Sequence, residues 1–410
     1  MPPPRKTAPP SAATPVQPPQ AGGFAQLVAS LSQTGAAGSA PRRARTRKPP
    51  EPPPGSLAEQ LLQAEQASRE GRLAFTQQTC ERLWPQLQTE GSAEQQGLCQ
   101  HLLALCLQYA GRLREAVQAG YAALACFERC APRPCPVRLL RGLGLHSVSL
   151  ARLGAQTEVR RLFERAATLL PGIEAERERC IFWNNAGAAL HELGELDAAC
   201  SAAEQALRLL PPGEPGLRAI CQANLQHYRL QQALEREHSP ALRPALRAML
   251  DGIDELARDG QHHLLTRTAE RAAEALQRLG ENERALALLQ RCSGLIERAG
   301  LGSDRGVLEL NLARLERQAG RHRSAAAHMA LALQLLADSP ELERQAQAHL
   351  EQSALAEAQG HWRAALDSFK RHAEAQMTLL KRQAEGRDAV QAACLALQAS
   401  VGPGGGSLPG

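Results

Sequence analysis

The sequence predicts an all-α solenoid of about eight helix pairs, and three observations carry that expectation. Helix-ending glycines recur at a near-constant interval along the chain. Apolar residues between them follow a 3.6-residue period, the spacing of one buried helix face. The 410 residues are 43% hydrophobic but only 3% aromatic, so the core must be built of leucine and alanine. Small repeated units that bury surface mainly against their neighbours suit such a core better than one large globule.

The glycines fall at Gly71, Gly111, Gly154, Gly194, Gly280, Gly320 and Gly360. Most are followed by an apolar or aromatic residue two positions on and a small residue five on. The intervals are 40, 43, 40, 86, 40 and 40 residues. The gap of 86 is two periods, which predicts a degenerate unit lacking its glycine near residues 215–259. Leu217 to Leu234 reads as one helix there, and Ser239 with Pro240 as the N-cap and first turn of the next. The predicted pairs span 56–90, 91–130, 136–170, 174–210, 215–259, 261–299, 303–337 and 339 onward.

The fourth unit, Ile181 to Pro212, shows the pattern most fully. Trp183, Ala186, Gly187 and Leu190 share one helix face. Gly194 ends that helix in the left-handed geometry that glycine tolerates. Leu196, Ala199, Ala203 and Ala206 form the facing stripe, whose alanines let two helices approach closely, and Pro211 and Pro212 forbid continuation. Trp183, Asn185, Gly187, Leu190, Gly194, Leu196, Ala199, Ala206 and Pro211 resemble the signature of the tetratricopeptide repeat (TPR), with Ala186 and Ala203 smaller than that signature's usual residues. The resemblance implies antiparallel helix pairs stacked into a right-handed superhelix, and a protein-interaction scaffold as the function.

Residues 1–55 read as a disordered, Pro- and Ala-rich basic tail, 56–400 as the solenoid, and 401–410 as a flexible Gly-rich tail. Within the first tail, Phe24, Leu27, Val28 and Leu31 fall at i, i+3, i+4 and i+7, the spacing of a short helix able to dock in a partner's groove. The net charge of +5 is located there too: residues 1–56 hold seven cations against one anion, leaving 40 against 41 in the rest. A phosphate-tracking groove on the solenoid is therefore not expected, and nucleic acid is not a predicted partner.

The last helix carries no stop signal. From His361 the apolar positions Leu366, Phe369, Ala373, Met377, Leu380 and Ala384 are spaced close to a coiled-coil seam. A helix extended in this way resembles the TPR input region of bacterial signalling proteins such as TPR-linked diguanylate cyclases, without the cyclase domain. That resemblance implies an alternative role, a sensory or regulatory module acting through this helix, with dimerisation as one means.

No P-loop, GxSxG elbow or HExxH motif is present, and the GLG at 142–144 sits in a helical pattern. Cys126, Cys130 and Cys135 with His146 lack the paired spacing of a zinc site. No enzyme activity, cofactor or metal is expected. Eleven scattered cysteines, no signal-peptide core and no apolar run of membrane-spanning length point to a cytoplasmic protein without a membrane partner.

In the TPR family ligands usually lie on the concave face lined by the first helix of each pair. Counting back from each turn glycine places Arg141, Arg152, Asn184, His191, Arg267, Glu270, Glu274, Arg314 and Arg317 on that face. Arginines there can hold acidic groups through bidentate hydrogen bonds, and charge reversal of Arg314 and Arg317 is expected to weaken a partner without unfolding the array. Asn185 and Asn311 occupy a signature position read as structural.

Overall fold

A computed structural model describes residues 55–69, 72–130, 135–236, 240–337, 339 and 341–400. The docking motif at Phe24 to Leu31, the turn at Gly71 and the cap at Ser239 lie outside them. All regular structure described is helical, and it forms eight consecutive pairs. These are α1 (Leu57–Arg69) with α2 (Leu73–Glu90), α3 (Ala93–Tyr109) with α4 (Leu113–Glu128), and α5 (Pro136–Arg152) with α6 (Gln156–Leu169). Next come α7 (Glu176–Glu192) with α8 (Leu196–Arg208), α9 (Pro215–Glu235) with α10 (Leu242–Arg258), and α11 (His262–Arg278) with α12 (Asn282–Arg298). The last two are α13 (Gly302–Gln318) with α14 (His322–Leu336) and α15 (Leu342–Ala358) with α16 (Trp362–Ser400).

The turns explain the period. Gly111, Gly154, Gly194, Gly280, Gly320 and Gly360 all hold φ between 68° and 78°, the left-handed region. The residue after each donates its N–H to the carbonyl five positions back, as Glu195 does to Leu190 at 2.9 Å, so the last turn's orphan carbonyl is satisfied. Helix starts are set by other means. Ser92 and Gln95 exchange reciprocal side-chain and backbone bonds at the head of α3, and Pro136 and Pro215 open α5 and α9. The degenerate fifth pair does exist, and its turn uses no left-handed glycine among the described residues.

Small residues bring the helices together. A side-chain carbon added to Gly187 would meet the Ala199 carbonyl oxygen at 3.2 Å and the Tyr228 ring at 3.4 Å. Ala199, Ala203 and Ala206 are fully buried beside it. Gly142 and Gly144 of the GLG run sit inside α5, pressed against Leu124 and Phe182, so those glycines serve packing. Phe127, Phe163, Phe182, Trp183 and Tyr228 are buried in the largest core cluster, where Trp183 lies edge-on to Phe182 at 5.6 Å and Phe182 to Phe163 at 6.2 Å.

First helices of neighbouring pairs touch along the array, which places them on the inside of its curve. The curve is tight enough to close on itself. Tyr109 at the end of α3 meets His263 at the start of α11, ring centroids 5.8 Å apart. The long α16 first packs on α15, with Ser368 donating to Gln352 and His372 meeting the Ala346 carbonyl oxygen at 2.9 Å. It then returns to α4 and the turn after α5: Gly386 abuts Leu153 so closely that a side-chain carbon there would stand 2.7 Å from it, and Val390 joins the main core cluster. The sequence expects an extended helix. The structure shows one whose far end is anchored to the early repeats by a face other than the heptad seam. Trp362, Leu366, Phe369, Met377 and Leu380 of the seam side stay exposed.

Candidate functional site

The inner face is a track of polar side chains that link one first helix to the next. Asn224 donates to Asn184 at 2.9 Å, His191 meets Gln231 at 3.2 Å, and Asn311 donates to Glu270 at 3.0 Å. Each of these links joins residues 40 or 41 positions apart, one repeat. Two further links span two repeats. Arg138 and Arg141 of α5 reach Glu65 of α1, and Arg344 of α15 grips Glu270 of α11 through two bonds of 2.9 and 3.0 Å. Side chains can meet across an intervening helix in this way only on the inside of a curved array, so these residues mark the concave surface.

Most of the charged residues that the sequence places on this face are occupied from within the chain. Arg141 is 13% exposed and sits between Glu65 and Glu178, with its Nε 2.8 Å from Glu178. Arg314 and Arg317 share Glu351, the latter at 2.5 Å. Arg152 binds Glu192 at 3.3 Å and the Gln108 carbonyl oxygen at 3.2 Å. Glu274 pairs with Arg271 and Arg278 on its own helix. The expected test at Arg314 and Arg317 therefore changes meaning: reversing their charge sets like charges against the buried Glu351, so the fold is affected before any ligand.

The electrostatics follow the pairing. Burial alone raises the Glu65 carboxyl, but the charges of Arg138, Arg141 and Arg69 outweigh it and hold the group down at about 2. Buried beside the two arginines, His101 is pushed down to about 3, first by desolvation and then by their charge. Glu65, Glu178, Glu351 and Arg344 lie beyond what counting back from a glycine selected. A signal exists, because Glu65, Arg141 and Glu178 are 76 and 37 residues apart, near multiples of the repeat.

Arg267 differs. It is half-buried on α11 and makes no hydrogen bond or ion pair among the described residues. Its charge acts on His191, His227 and Tyr228. These three rings form one cluster: His191 stacks on Tyr228 at 5.0 Å and lies 4.8 Å from His227. His227 and Tyr228 are 7% and 2% exposed. Neither was selected from the sequence, because both stand in the fifth repeat, which has no turn glycine to count from. Cys126 is buried, Cys130 and Cys135 are half-buried, and His146 is fully buried with both ring nitrogens unpartnered. No group of three or more His, Cys, Asp or Glu among the described residues is arranged to hold a metal. No described helix is long and apolar enough to cross a membrane.

No protein-family model matches the chain, and no curated protein sequence matches it. Among solved structures it is similar to a Rap protein complexed with competence and sporulation factor. Identity there is 10%, the TM-score is 0.50, and 80% of this chain and 99% of that one are covered. Aspartyl phosphate phosphatase F from Bacillus subtilis gives 10% identity and a TM-score of 0.48, over 84% of this chain and 96% of that one. A signal-transduction ATPase with a tetratricopeptide repeat sensor from Pyrococcus horikoshii gives 12% and 0.41, over 92% and 64%. Together with the eight helix pairs and their inner track, the first of these likenesses establishes the fold: the chain is a TPR-like helical solenoid.

Proposed function

We propose that this chain is a non-enzymatic interaction scaffold of the cytoplasm, holding a peptide or protein segment along its concave face. The carrying observation is the inner track, a polar surface with a repeat near 40 residues, suited to an extended segment that meets successive repeats in turn. The Rap protein of like fold is complexed with competence and sporulation factor, which is in keeping with this reading. Binding of fluorescent random-sequence peptides to the full chain, followed by cross-linking and mapping of the contacted residues, tests it. Contacts on α7, α9 and α11 are expected; contacts confined to second helices would sink the concave-face assignment.

A second reading, a sensory or regulatory module of a bacterial signalling system, is favoured by the exposed seam of α16. Trp362, Leu366, Phe369, Met377 and Leu380 are 50% to 70% exposed on one continuous stripe. Its heptad spacing is self-complementary, so the occupant that fits it is a second copy of this chain. Covering it would bury roughly 600 Å² per copy, about 1,200 Å² in all, the lower edge of a stable interface. Light scattering should show a dimer that becomes a monomer in Leu366→Lys/Leu380→Lys. A wild-type monomer at high concentration rules the dimer out.

A further inference from the structure

Two arginines of the inner face occupy the same place in their repeats and have opposite fates. Arg141 stands 13 residues before Gly154, and Arg267 stands 13 before Gly280. Arg141 receives one carboxylate from two repeats earlier, Glu65, and one from the next repeat, Glu178. Glu65 lies six residues before Gly71, and Glu178 lies 16 before Gly194. The residue matching Glu65 for Arg267 is six before Gly194, and it is Ala188. The residue matching Glu178 is 16 before Gly320, and it is Asp304, one methylene shorter, whose carboxylate lies 3.4 Å from His263. Both internal partners are thus withheld from Arg267.

Among the described residues, the carboxylates Glu192, Asp304 and Glu274 are engaged with other groups. Glu192, the carboxylate that acts on His191 and Tyr228, is held by Arg152 at 3.3 Å. Arg271, whose charge also reaches His191 and His227, is tied to Glu274 at 3.0 Å. What remains is a half-buried guanidinium with no hydrogen bond or ion pair among the described residues. A half-buried charge without a counter-ion costs free energy that a bound carboxylate would recover.

We propose that Arg267 is a subsite for an acidic side chain of the bound segment, which supplies the carboxylate that the chain itself provides at Arg141. The inference rests on the scaffold reading above and names the chemistry of its ligand. Arg267 forms the bidentate pair with that carboxylate. A partner presenting Gln at this point leaves the guanidinium charge uncompensated and binds more weakly.

The test uses an array of short unrelated peptides, each made in a Glu and a Gln version, probed with the full chain, with Arg267→Gln and with Arg267→Lys. Unfolding midpoints show that the variants fold. Peptides retained by the wild type should bind roughly ten-fold or more tightly in their Glu versions. Arg267→Gln should abolish that preference, and Arg267→Lys should restore part of it. Equal binding of Glu and Gln versions, or a preference that survives in Arg267→Gln, overturns the subsite while leaving the scaffold standing. Retention of no peptide at all overturns the scaffold reading and the subsite with it.

Discussion

The corner of the inner face around Arg141 and the corner around Arg267 are built at the same register of two different repeats, yet one is closed and the other open. At Arg141, Glu65 and Glu178 saturate the guanidinium, and Arg138 adds a second cation to Glu65. At Arg267 the corresponding positions hold Ala188 and a diverted Asp304. The difference teaches that on a curved array a charged residue's role is decided by what the repeats one and two away place opposite it. Its own position in the repeat does not decide it.

The largest effect expected from this comparison is on stability. Arg141→Met leaves two carboxylates buried without their shared cation and should cost about 3–5 kcal/mol in urea unfolding. A loss below about 1 kcal/mol would mean that the closed corner does not hold the first repeats to the fourth.

Acid should act next. His101 and His146 are pushed by burial to about 3, and His227 well below its ordinary value. The native state therefore binds fewer protons than the unfolded chain, and stability that is full above about 6.5 falls as pH drops toward 3. Glu65, depressed to about 2, adds a second loss as pH falls from about 4.5 toward 2. Urea midpoints measured against pH should decline from near neutrality downward. A flat profile between pH 7 and 4 contradicts the neutral buried histidines.

Filling the open corner should have a smaller, opposite effect. Ala188→Glu installs the carboxylate that Arg141 has and Arg267 lacks, and it should stabilise by about 0.5–1 kcal/mol while abolishing the preference for acidic peptides. Unchanged peptide selectivity in that variant would show that the register argument fails. Smallest of all, Arg267→Met should alter stability by less than about 0.5 kcal/mol, because no internal partner is lost.

The fold was legible because its determinants are local. A left-handed glycine, a small residue five positions on and a stripe of alanines each act within one pair, so Gly194, Ala199 and Ala203 announce their roles without reference to distant chain. The degenerate fifth pair was legible only through the doubled interval around it. Pairing on the inner face was not legible from positions alone, since Glu65 and Arg141 are 76 residues apart and meet through the summed rotations of several repeats. The course of α16 escaped for a related reason. Its sequence carries two apolar faces, and periodicity favours the heptad seam at Leu366 and Leu380. The face that packs uses Ala365, Gly386 and Val390, too sparse a set to stand out.

The contrast between the two corners is tested most directly by following the arginine Nε–H groups by nitrogen-15 NMR, with resonances assigned through single Arg→Lys variants. Paired guanidinium groups exchange slowly with water, and open ones quickly. Arg141, Arg317 and Arg344 should give protected signals in the free protein, and Arg267 an unprotected one that becomes protected when a Glu-bearing peptide is added. An Arg267 signal as protected as that of Arg141 before any peptide is present would contradict an open corner on the concave face.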